Sequence, residues 1–227
     1  MHDLFDNIFW HTLTGPQARF AAGAGAARRY VAGCSPILGF ADQRRPDLDA
    51  LGPYCQAGEV FYTDGWSGPV PAGWQLDAET VMIKMIWDAP APAADAGGEP
   101  IVTLGPQHVQ RAVELAALTR PGPFGPRTPE LGTYIGCLDD ERLVAMAGER
   151  ACAGTLREIS GVCTHPDAQG RGYARRLMLR LILTQLQRGE TPVLHVMQAN
   201  ATAHGLYRRM GFRDHRESVV RVITKRA

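Results

Sequence analysis

The chain has 227 residues, of which 45% are hydrophobic and 21% charged, and its formal net charge is +1. This is the composition of an ordinary globular protein, and it lacks the strongly basic footprint of a nucleic-acid-binding protein. No window approaches the ~18 consecutive apolar residues of a membrane span, so we expect neither a nucleic acid nor a membrane as partner.

The cysteines and the first residues of the chain predict a cytoplasmic protein. The five cysteines are odd in number and scattered, and no two form a C-x-x-C pair. This usage is typical of reduced thiols in the cytosol. The polar and acidic start, Met1-His2-Asp3, differs from the basic and apolar regions of a signal peptide. The seven histidines have no H-x-x-x-H spacing, so we expect no metal site.

Residues 1–88 are predicted to form a smaller N-terminal α/β domain whose role the sequence leaves unknown. Thr14-Gly15-Pro16 is expected to open a helix that runs to about Ala22. Glu59–Tyr62 and Thr80–Trp87 are typical of strands. The region carries six Lys or Arg against ten Asp or Glu, whereas residues 89–227 carry eighteen against thirteen. The modest positive charge of the second part would help to attract an anionic ligand.

Residues 89–100 are rich in alanine, proline and glycine and are predicted to form a linker. Residues 101–227 then form a second, mixed α and β domain. Its expected strands are Ile101–Leu104, Thr133–Leu138, Leu143–Glu149, Leu156–Thr164, Val193–Met197 and Glu217–Thr224. Its expected helices are Pro106–Leu118, Ala203–Met210 and, between them, a helix whose apolar stripe is Leu177, Met178, Leu181, Ile182 and Leu186.

A glycine-rich turn between the strand Leu156–Thr164 and the next helix is the most informative motif. Its residues are Gln169-Gly170-Arg171-Gly172-Tyr173-Ala174. A turn of this kind leaves backbone N–H groups unpaired at the start of a helix, where the helix dipole adds partial positive charge, so it suits a phosphate group. The spacing Gln169-x-x-Gly172-x-Ala174 is neither the dinucleotide fingerprint nor a P-loop, because no Lys-Ser/Thr follows.

A second motif lies downstream, from Asn200 to Phe212. It reads Asn200 and then Leu206-Tyr207-x-x-x-Gly211-Phe212. Tyr207 is a candidate proton donor, because a phenol with a pKa near 10 can donate a hydrogen bond to a departing thiolate, whose thiol has a pKa near 8.5. A tyrosine that merely packs on its helix is the alternative.

The two motifs together resemble the GNAT superfamily of acetyl-CoA-dependent N-acetyltransferases. The resemblance spans roughly residues 101–224. It implies an α+β (mixed α/β) fold with a GNAT-type central mixed β-sheet flanked by helices. It also implies transfer of an acetyl group from acetyl-CoA to a primary amine by direct attack in a ternary complex. Tandem arrangements in this superfamily raise the interpretation that residues 1–88 are a degenerate GNAT-like copy.

The resemblance also assigns the residues that bind acetyl-CoA. The loop residues would hold its pyrophosphate, mainly through backbone N–H groups; they are Gln169, Gly170, Arg171, Gly172, Tyr173 and Ala174. The main chain of Val162 and Thr164 would pair with the pantetheine arm as with an added strand. The Val162 N–H matches the oxyanion donor of the family, and Asn200 matches an asparagine that contacts the cofactor.

Two residues are the candidate catalytic groups. Tyr207 matches the tyrosine that protonates the thiolate. Glu158, eleven residues before Gln169, matches the catalytic glutamate of the family's histone acetyltransferases. Alternation would place Glu158 on one face with Ser160, Val162 and Thr164, and burial there should raise its pKa toward that of a base. Glu149, or a water chain, remains open as the alternative base.

The loop between the first helix and the next strand of the second domain bears on the acceptor. The segment Arg120–Glu130 is stiffened by prolines, and in this superfamily the corresponding segment commonly walls the acceptor pocket. Arg120 and Arg127 bracket Phe124, and an arginine fork binds carboxylates, so an acceptor with a carboxylate is one hypothesis; solvated arginines are the alternative. Small-molecule and peptide amines both remain open, as do longer acyl groups and a homo-oligomeric state.

Two functions that are not enzymatic are alternatives to acetyl transfer. One is a non-catalytic acyl-CoA-binding or sensor domain. The other is a protein-interaction adaptor with a relic cofactor site. Both remain open as alternatives, although the intact Tyr207 and Asn200 favour catalysis.

Overall fold

The structure is a computed structural model that describes residues 2–93 and 99–227, without the side chains of His2 and Asp3. Residues 94–98, in the middle of the predicted linker, lie outside the described part. The described helices are all too short or too polar to cross a membrane.

Two short helices begin the chain, α1 (His2–Asp6) and α2 (Ile8–Thr14). The buried residues of α2 are Ile8, Phe9, Thr12 and Leu13, which form one helical face. The helix that we expected from Thr14 to Ala22 is therefore wrong, since Thr14 ends a helix instead of opening one. The chain continues through a 3-10 turn at Ala18–Phe20 into a strand.

A small antiparallel sheet follows in the N-terminal region. It has three strands, β1 (Ala21–Ala22), β2 (Ala27–Tyr30) and β3 (Leu38–Phe40), in that order. The other two strands of this region, β4 (Val60–Asp64) and β5 (Trp74–Trp87), belong to the main sheet. Within the described residues, the first 88 therefore do not build a second GNAT-like sheet of their own.

The main sheet has eight strands, in the order β4-β11-β5-β10-β9-β8-β7-β6. Its remaining strands are β6 (Ile101–Thr103), β7 (Tyr134–Asp139), β8 (Arg142–Ala153), β9 (Leu156–Thr164), β10 (Thr191–Met197) and β11 (Phe212–Lys225). All neighbours are antiparallel except β9 and β10. The expected mixed sheet flanked by helices is confirmed.

Strand β5 lies inside this sheet, between β10 and β11, and pairs with β11 along its whole length. Its last residues, Ile83, Met85 and Trp87, pack into the main core with the helix that follows the glycine-rich loop. The predicted boundary at residue 88 is thus not a boundary of the sheet. The predicted linker instead connects two strands of one sheet, β5 and β6.

Three longer helices pack against the sheet: α3 (Val109–Thr119), α4 (Tyr173–Gln187) and α5 (Ala201–Met210). The predicted apolar stripe of α4 is confirmed, because Leu177, Met178, Leu181 and Ile182 are buried. On β10, Leu194 packs in the cluster of α4, whereas Val193 packs in the cluster of α1 and α2. Since neighbouring residues of a strand point to opposite faces, α4 and the N-terminal helices cover opposite faces of the sheet.

The parallel strands β9 and β10 pair only along part of their length. Their pairing runs from Leu156 opposite Thr191 to Ile159 opposite Leu194 and ends there. Both strands continue beyond that point, β9 to Thr164 and β10 to Met197. The sheet therefore opens between two central strands, and this opening places the site.

Candidate active site

A cavity of about 340 Å³ lies at the opening between β9 and β10. Strand β9 contributes residues 158–162, β10 residues 194–197, and α5 with its cap contributes Asn200, Ala203 and Tyr207. The turn after α3, residues 120–123, closes one side, and Tyr62, Met82 and Arg150 complete the lining. The volume is within the range of small-molecule sites.

A β-bulge at Gly161 shapes the wall of this cavity. Gly161 has φ 64°, and the pairing of β9 with β8 shifts between Ser160 and Cys163. As a result Ile159 and Val162, three residues apart, pack against the same core cluster. The single face that we expected for Glu158, Ser160, Val162 and Thr164 is therefore wrong. Glu158 and Val162 nevertheless both line the cavity, whereas Thr164 does not.

The glycine-rich loop leads into α4 as predicted. Gly170 and Gly172 have φ 76° and 81°, a backbone conformation that favours glycine, and Gly172 directly precedes the helix. A side chain built at either position would meet no atom within 4 Å. Gln169 and Arg171 are exposed. The loop is thus open to solvent at the N-terminal end of a 15-residue helix.

Two loop side chains already have partners. The Tyr173 ring is buried in the α4 core, and its hydroxyl donates a hydrogen bond to the Glu99 carboxylate. Arg171 Nη2 donates to the same carboxylate at 2.9 Å. The side chain of Tyr173 is therefore held in the core, and only the backbone of this residue is available to a ligand at the loop.

Asn200 and Tyr207 face the cavity from α5. Asn200 caps this helix, since its Oδ1 accepts the Ala203 N–H at 3.1 Å. Tyr207 lies two turns further along and packs its ring edge-on against Phe212. Burial raises the pKa of Tyr207 to about 12. Its phenol is therefore fully protonated near neutral pH.

Glu158 lies in a buried network of charged groups. Arg150 Nε donates to Oε2 at 3.0 Å and Arg150 Nη2 to Oε1 at 2.6 Å, and His195 Nδ1 lies 2.7 Å from Oε1. Burial by itself raises the pKa of Glu158, but Arg150 and His195 outweigh it and hold that pKa well below its usual range. The pKa rise that we expected is therefore wrong. An ionised carboxylate of such low proton affinity is a poor general base.

The alternative base, Glu149, lies elsewhere. Gln185 Nε2 donates to its Oε1 at 3.0 Å, and Arg188 Nη2 forms an ion pair with it. Both partners belong to the C-terminal end of α4 and its cap. Glu149 is not among the residues that line the cavity. The structure therefore separates it from Tyr207 and Glu158.

The two candidate arginines of the acceptor loop differ in position. Arg120 lines the cavity, is exposed, and has φ 50°, which is uncommon for a residue with a side chain. Arg127 instead donates two hydrogen bonds of 2.9 Å to Glu130 and does not line the cavity. Arg120 is thus the arginine of this loop that an acceptor could meet.

Sequence reasoning missed Arg150 and His195. His195 lies in the otherwise apolar strand Val193–Met197, and Arg150 follows Glu149 in β8. An ionisable residue within an apolar strand was the available signal. Their convergence on Glu158 was not readable, because the three strands pair only in the folded sheet. Among the described residues, no three His, Cys, Asp or Glu groups are placed to hold a metal ion.

Comparisons with known proteins agree with this geometry. The family model of FR47-like protein matches residues 134–222. A solved structure from Novosphingobium aromaticivorans DSM 12444, described as an acetyltransferase of the GNAT family, is 34% identical over 98% of both chains, with a TM-score of 0.86. No curated protein matches the sequence.

Two more distant structures share the fold. One is a GCN5-related N-acetyltransferase from Kribbella flavida, 14% identical over 100% of this chain and 95% of its own, with a TM-score of 0.62. The other is a GCN5-related N-acetyltransferase-like protein from Streptococcus suis 89/1591. It is 16% identical over 96% of this chain and 92% of its own, with a TM-score of 0.61.

Proposed function

The chain belongs to the GNAT family of acetyltransferases, and we propose that it transfers an acetyl group from acetyl-CoA to a primary amine. The observation that carries this proposal is the coincidence of three features at one opening of the sheet. These are the end of β9–β10 pairing, the open glycine loop before α4, and Tyr207 with Asn200 on α5.

The opening fits the donor substrate. Beyond Ile159, β9 has no pairing with β10, so Val162 and Thr164 lie on a stretch of strand that an extended pantetheine arm could join. The loop then offers backbone N–H groups and the positive end of α4 to the pyrophosphate. Gly170 and Gly172 keep the approach to this backbone free of side chains. Arg171 would exchange Glu99 for a phosphate oxygen.

Tyr207 is the proposed donor to the leaving sulfur. Its phenol lines the cavity and is held protonated by burial. Because a thiol has a pKa near 8.5, complete transfer from a phenol with a pKa of about 12 is uphill. We therefore assign Tyr207 first the donation of a hydrogen bond that stabilises the developing thiolate. Net reprotonation of the thiolate is completed by solvent.

The acceptor enters on the side of Arg120. The ion pair of Arg150 with Glu158 is internally neutralised, whereas Arg120 lines the cavity and has no carboxylate partner among the described residues. This supports an acceptor that carries a carboxylate, such as an amino acid or a peptide. We expect Arg120→Ala to raise the acceptor KM with little change in acetyl-CoA affinity.

Arg127→Ala is the matched control, because Arg127 belongs to the same loop but pairs with Glu130. Steady-state kinetics with the best amine would compare the two variants. Equal KM values for wild type and Arg120→Ala would remove the carboxylate hypothesis while leaving the enzymatic proposal intact.

The direct test of the function is an amine-library screen. Purified protein and acetyl-CoA are incubated with each amine, free thiol is followed, and acetylated product is identified by mass. A thermal-shift measurement with acetyl-CoA runs in parallel, since a ligand that binds the native state raises apparent stability. Binding without turnover would support the acyl-CoA sensor. Absence of both would support the adaptor.

The five free cysteines support a cytoplasmic setting for the reaction.

A further inference from the structure

The buried histidine His195 has one ring nitrogen engaged and one unpartnered. Its Nδ1 lies 2.7 Å from Glu158 Oε1, and its side chain is 5% exposed. Its Nε2 is buried and has no hydrogen-bond partner among the described residues. Buried polar atoms without a partner are rare in native proteins, so this nitrogen calls for an explanation.

The partners of His195 fix its tautomer. An ionised carboxylate only accepts hydrogen bonds, so Nδ1 must carry the proton that it shares with Glu158. In the neutral imidazole, the lone pair is then on Nε2. Arg150 in turn holds Glu158 through two hydrogen bonds, and both residues are nearly fully buried. The network therefore fixes the orientation of the His195 ring and leaves the lone pair of the neutral imidazole on Nε2.

The ring itself is held in place by packing. Phe9 stacks on it with ring centroids 5.4 Å apart, and Phe5 lies 5.5 Å away on a tilted plane. Both phenylalanines come from the N-terminal helices, which cover this face of the sheet. His195, Glu158 and Tyr207 all line the same cavity. The His195 imidazole and the Tyr207 phenol thus border one space from two different elements.

We propose that His195 is the general base of the acetyl transfer, and that Glu158 is a positioning residue that orients it. This role rests on the proposed function. The amine nitrogen forms a bond to the thioester carbon, and its extra proton passes to His195 Nε2, directly or through one water. The carbon–sulfur bond breaks, and the electron pair leaves on sulfur, where Tyr207 donates its hydrogen bond. The proton on His195 later returns to solvent, and solvent protonates the thiolate.

Two substitutions of His195 test the role. His195→Ala removes the ring, and His195→Asn keeps an N–H that can donate to Glu158 but has no basic nitrogen. We expect kcat to fall about 10²- to 10⁴-fold in both, the usual contribution of general base catalysis, with unchanged acetyl-CoA affinity by calorimetry. Circular dichroism and the acetyl-CoA thermal shift verify that each variant is folded.

Chemical rescue separates a base from a packing residue. Added imidazole should restore turnover of His195→Ala in proportion to its concentration, because the deleted ring leaves room for it. Acetylated amine is measured by mass, since imidazole can itself consume acetyl-CoA and release thiol. His204→Asn is the matched control: His204 also pairs with a carboxylate, Asp214, at 2.7 Å but does not line the cavity. Its kcat should equal that of wild type.

The positioning role of Glu158 is tested by a double-mutant cycle. If Glu158 acts through His195, Glu158→Gln should lower kcat in wild type but should lower it no further in His195→Asn. Independent losses would overturn the positioning role. Wild-type kcat in a folded His195 variant, or no rescue by imidazole, would overturn the base. A wild type that acetylates no amine would instead overturn the proposed function, and this role with it.

Discussion

At the scale of single residues, the buried ion pair of Arg150 with Glu158 places the strictest requirements on geometry. Both side chains are at least 92% removed from solvent, and three hydrogen bonds converge on the carboxylate from Arg150 and His195. Desolvation of two charges is costly, and only good geometry offsets it. Removal of one partner therefore leaves a buried charge uncompensated.

We expect Glu158→Gln to lower the free energy of unfolding by about 3–5 kcal/mol at pH 7, because Arg150 remains charged and buried. The exposed pair of Arg111 with Glu141, 3.0 Å apart, is the matched control. Glu141→Gln should change stability by less than about 1 kcal/mol. Urea unfolding measures both. Equal effects of the two substitutions would contradict the expectation that a buried ion pair costs more stability to break than an exposed one.

The effect of Glu158→Gln on the free energy of unfolding should also depend on pH. The pKa of Glu158 is lower in the folded protein than in the unfolded chain, where it is about 4.3. The unfolded chain therefore binds the proton first on acidification, and the contribution of Glu158 is complete above that pH and lost progressively below it. The stability gap between wild type and Glu158→Gln should shrink from pH 6 to pH 3. A gap that widens in acid would contradict this sign.

Tyr207→Phe tests the donor without disturbing the packing. The ring keeps its contact with Phe212, and only the hydroxyl is lost. We expect kcat to fall about 10²- to 10³-fold, the usual contribution of one hydrogen-bond donor that stabilises developing negative charge, with acetyl-CoA affinity little altered. Tyr54→Phe, at an exposed tyrosine outside the cavity, should keep wild-type kcat. Full turnover by Tyr207→Phe would return this tyrosine to a packing role.

At the scale of elements, helix α4 connects the loop to the core. Its buried stripe holds the helix on the sheet, while its N-terminal end stays open to solvent at Gly170 and Gly172. The two ends of this helix carry glycines of similar backbone. Gly172 has φ 81° before the helix, and Gly189 has φ 74° after it, and a side chain at either would meet no atom within 4 Å. The pair therefore forms a natural comparison.

Gly172→Val should abolish acetyl-CoA binding while the protein stays folded. The branched side chain would obstruct the backbone to which the pyrophosphate must come close, and it would strain the left-handed φ. Gly189→Val imposes a similar strain at the other end of the helix, so it should cost similar stability but keep the affinity. Calorimetric titration with acetyl-CoA measures the affinity of both variants. Loss of affinity in both variants would show that strain, not obstruction, is responsible.

At the scale of the whole molecule, the N-terminal region and the rest of the chain share one sheet. Strand β5 pairs with β10 on one side and β11 on the other, and its apolar end belongs to the core of α4. The N-terminal helices cover the opposite face and pack against Leu156 and Val193. Neither region retains a complete sheet without the other.

We therefore expect one cooperative unfolding transition for the full chain. A fragment of residues 101–227 would lack the strand between β10 and β11 and should fail to fold. Differential scanning calorimetry tests the first statement, and circular dichroism of the fragment tests the second. Two separate transitions, or a fragment with a native-like melting curve, would show that the linker divides two independent domains.

The sequence alone determined the local structure of the second region. Leu156–Thr164 is a strand with the predicted bounds, and the apolar stripe of the following helix is buried as expected. Period and turn chemistry act between near neighbours, so they can be read from the chain. The glycine inside the strand, Gly161, is itself a local signal of the bulge, since glycine within a strand often marks one.

Tertiary structure alone decided the electrostatics of the site and the unity of the sheet. Glu158 meets Arg150 and His195 only because β8, β9 and β10 are neighbours, and this contact reverses the pKa shift that burial alone predicts. Strand β5 reads as a strand in the sequence, but its partners β10 and β11 begin more than 100 residues later. Strand pairing over such separations depends on the packing of the whole chain. Local pattern supplies the elements, and long-range pairing selects which charges they bring together.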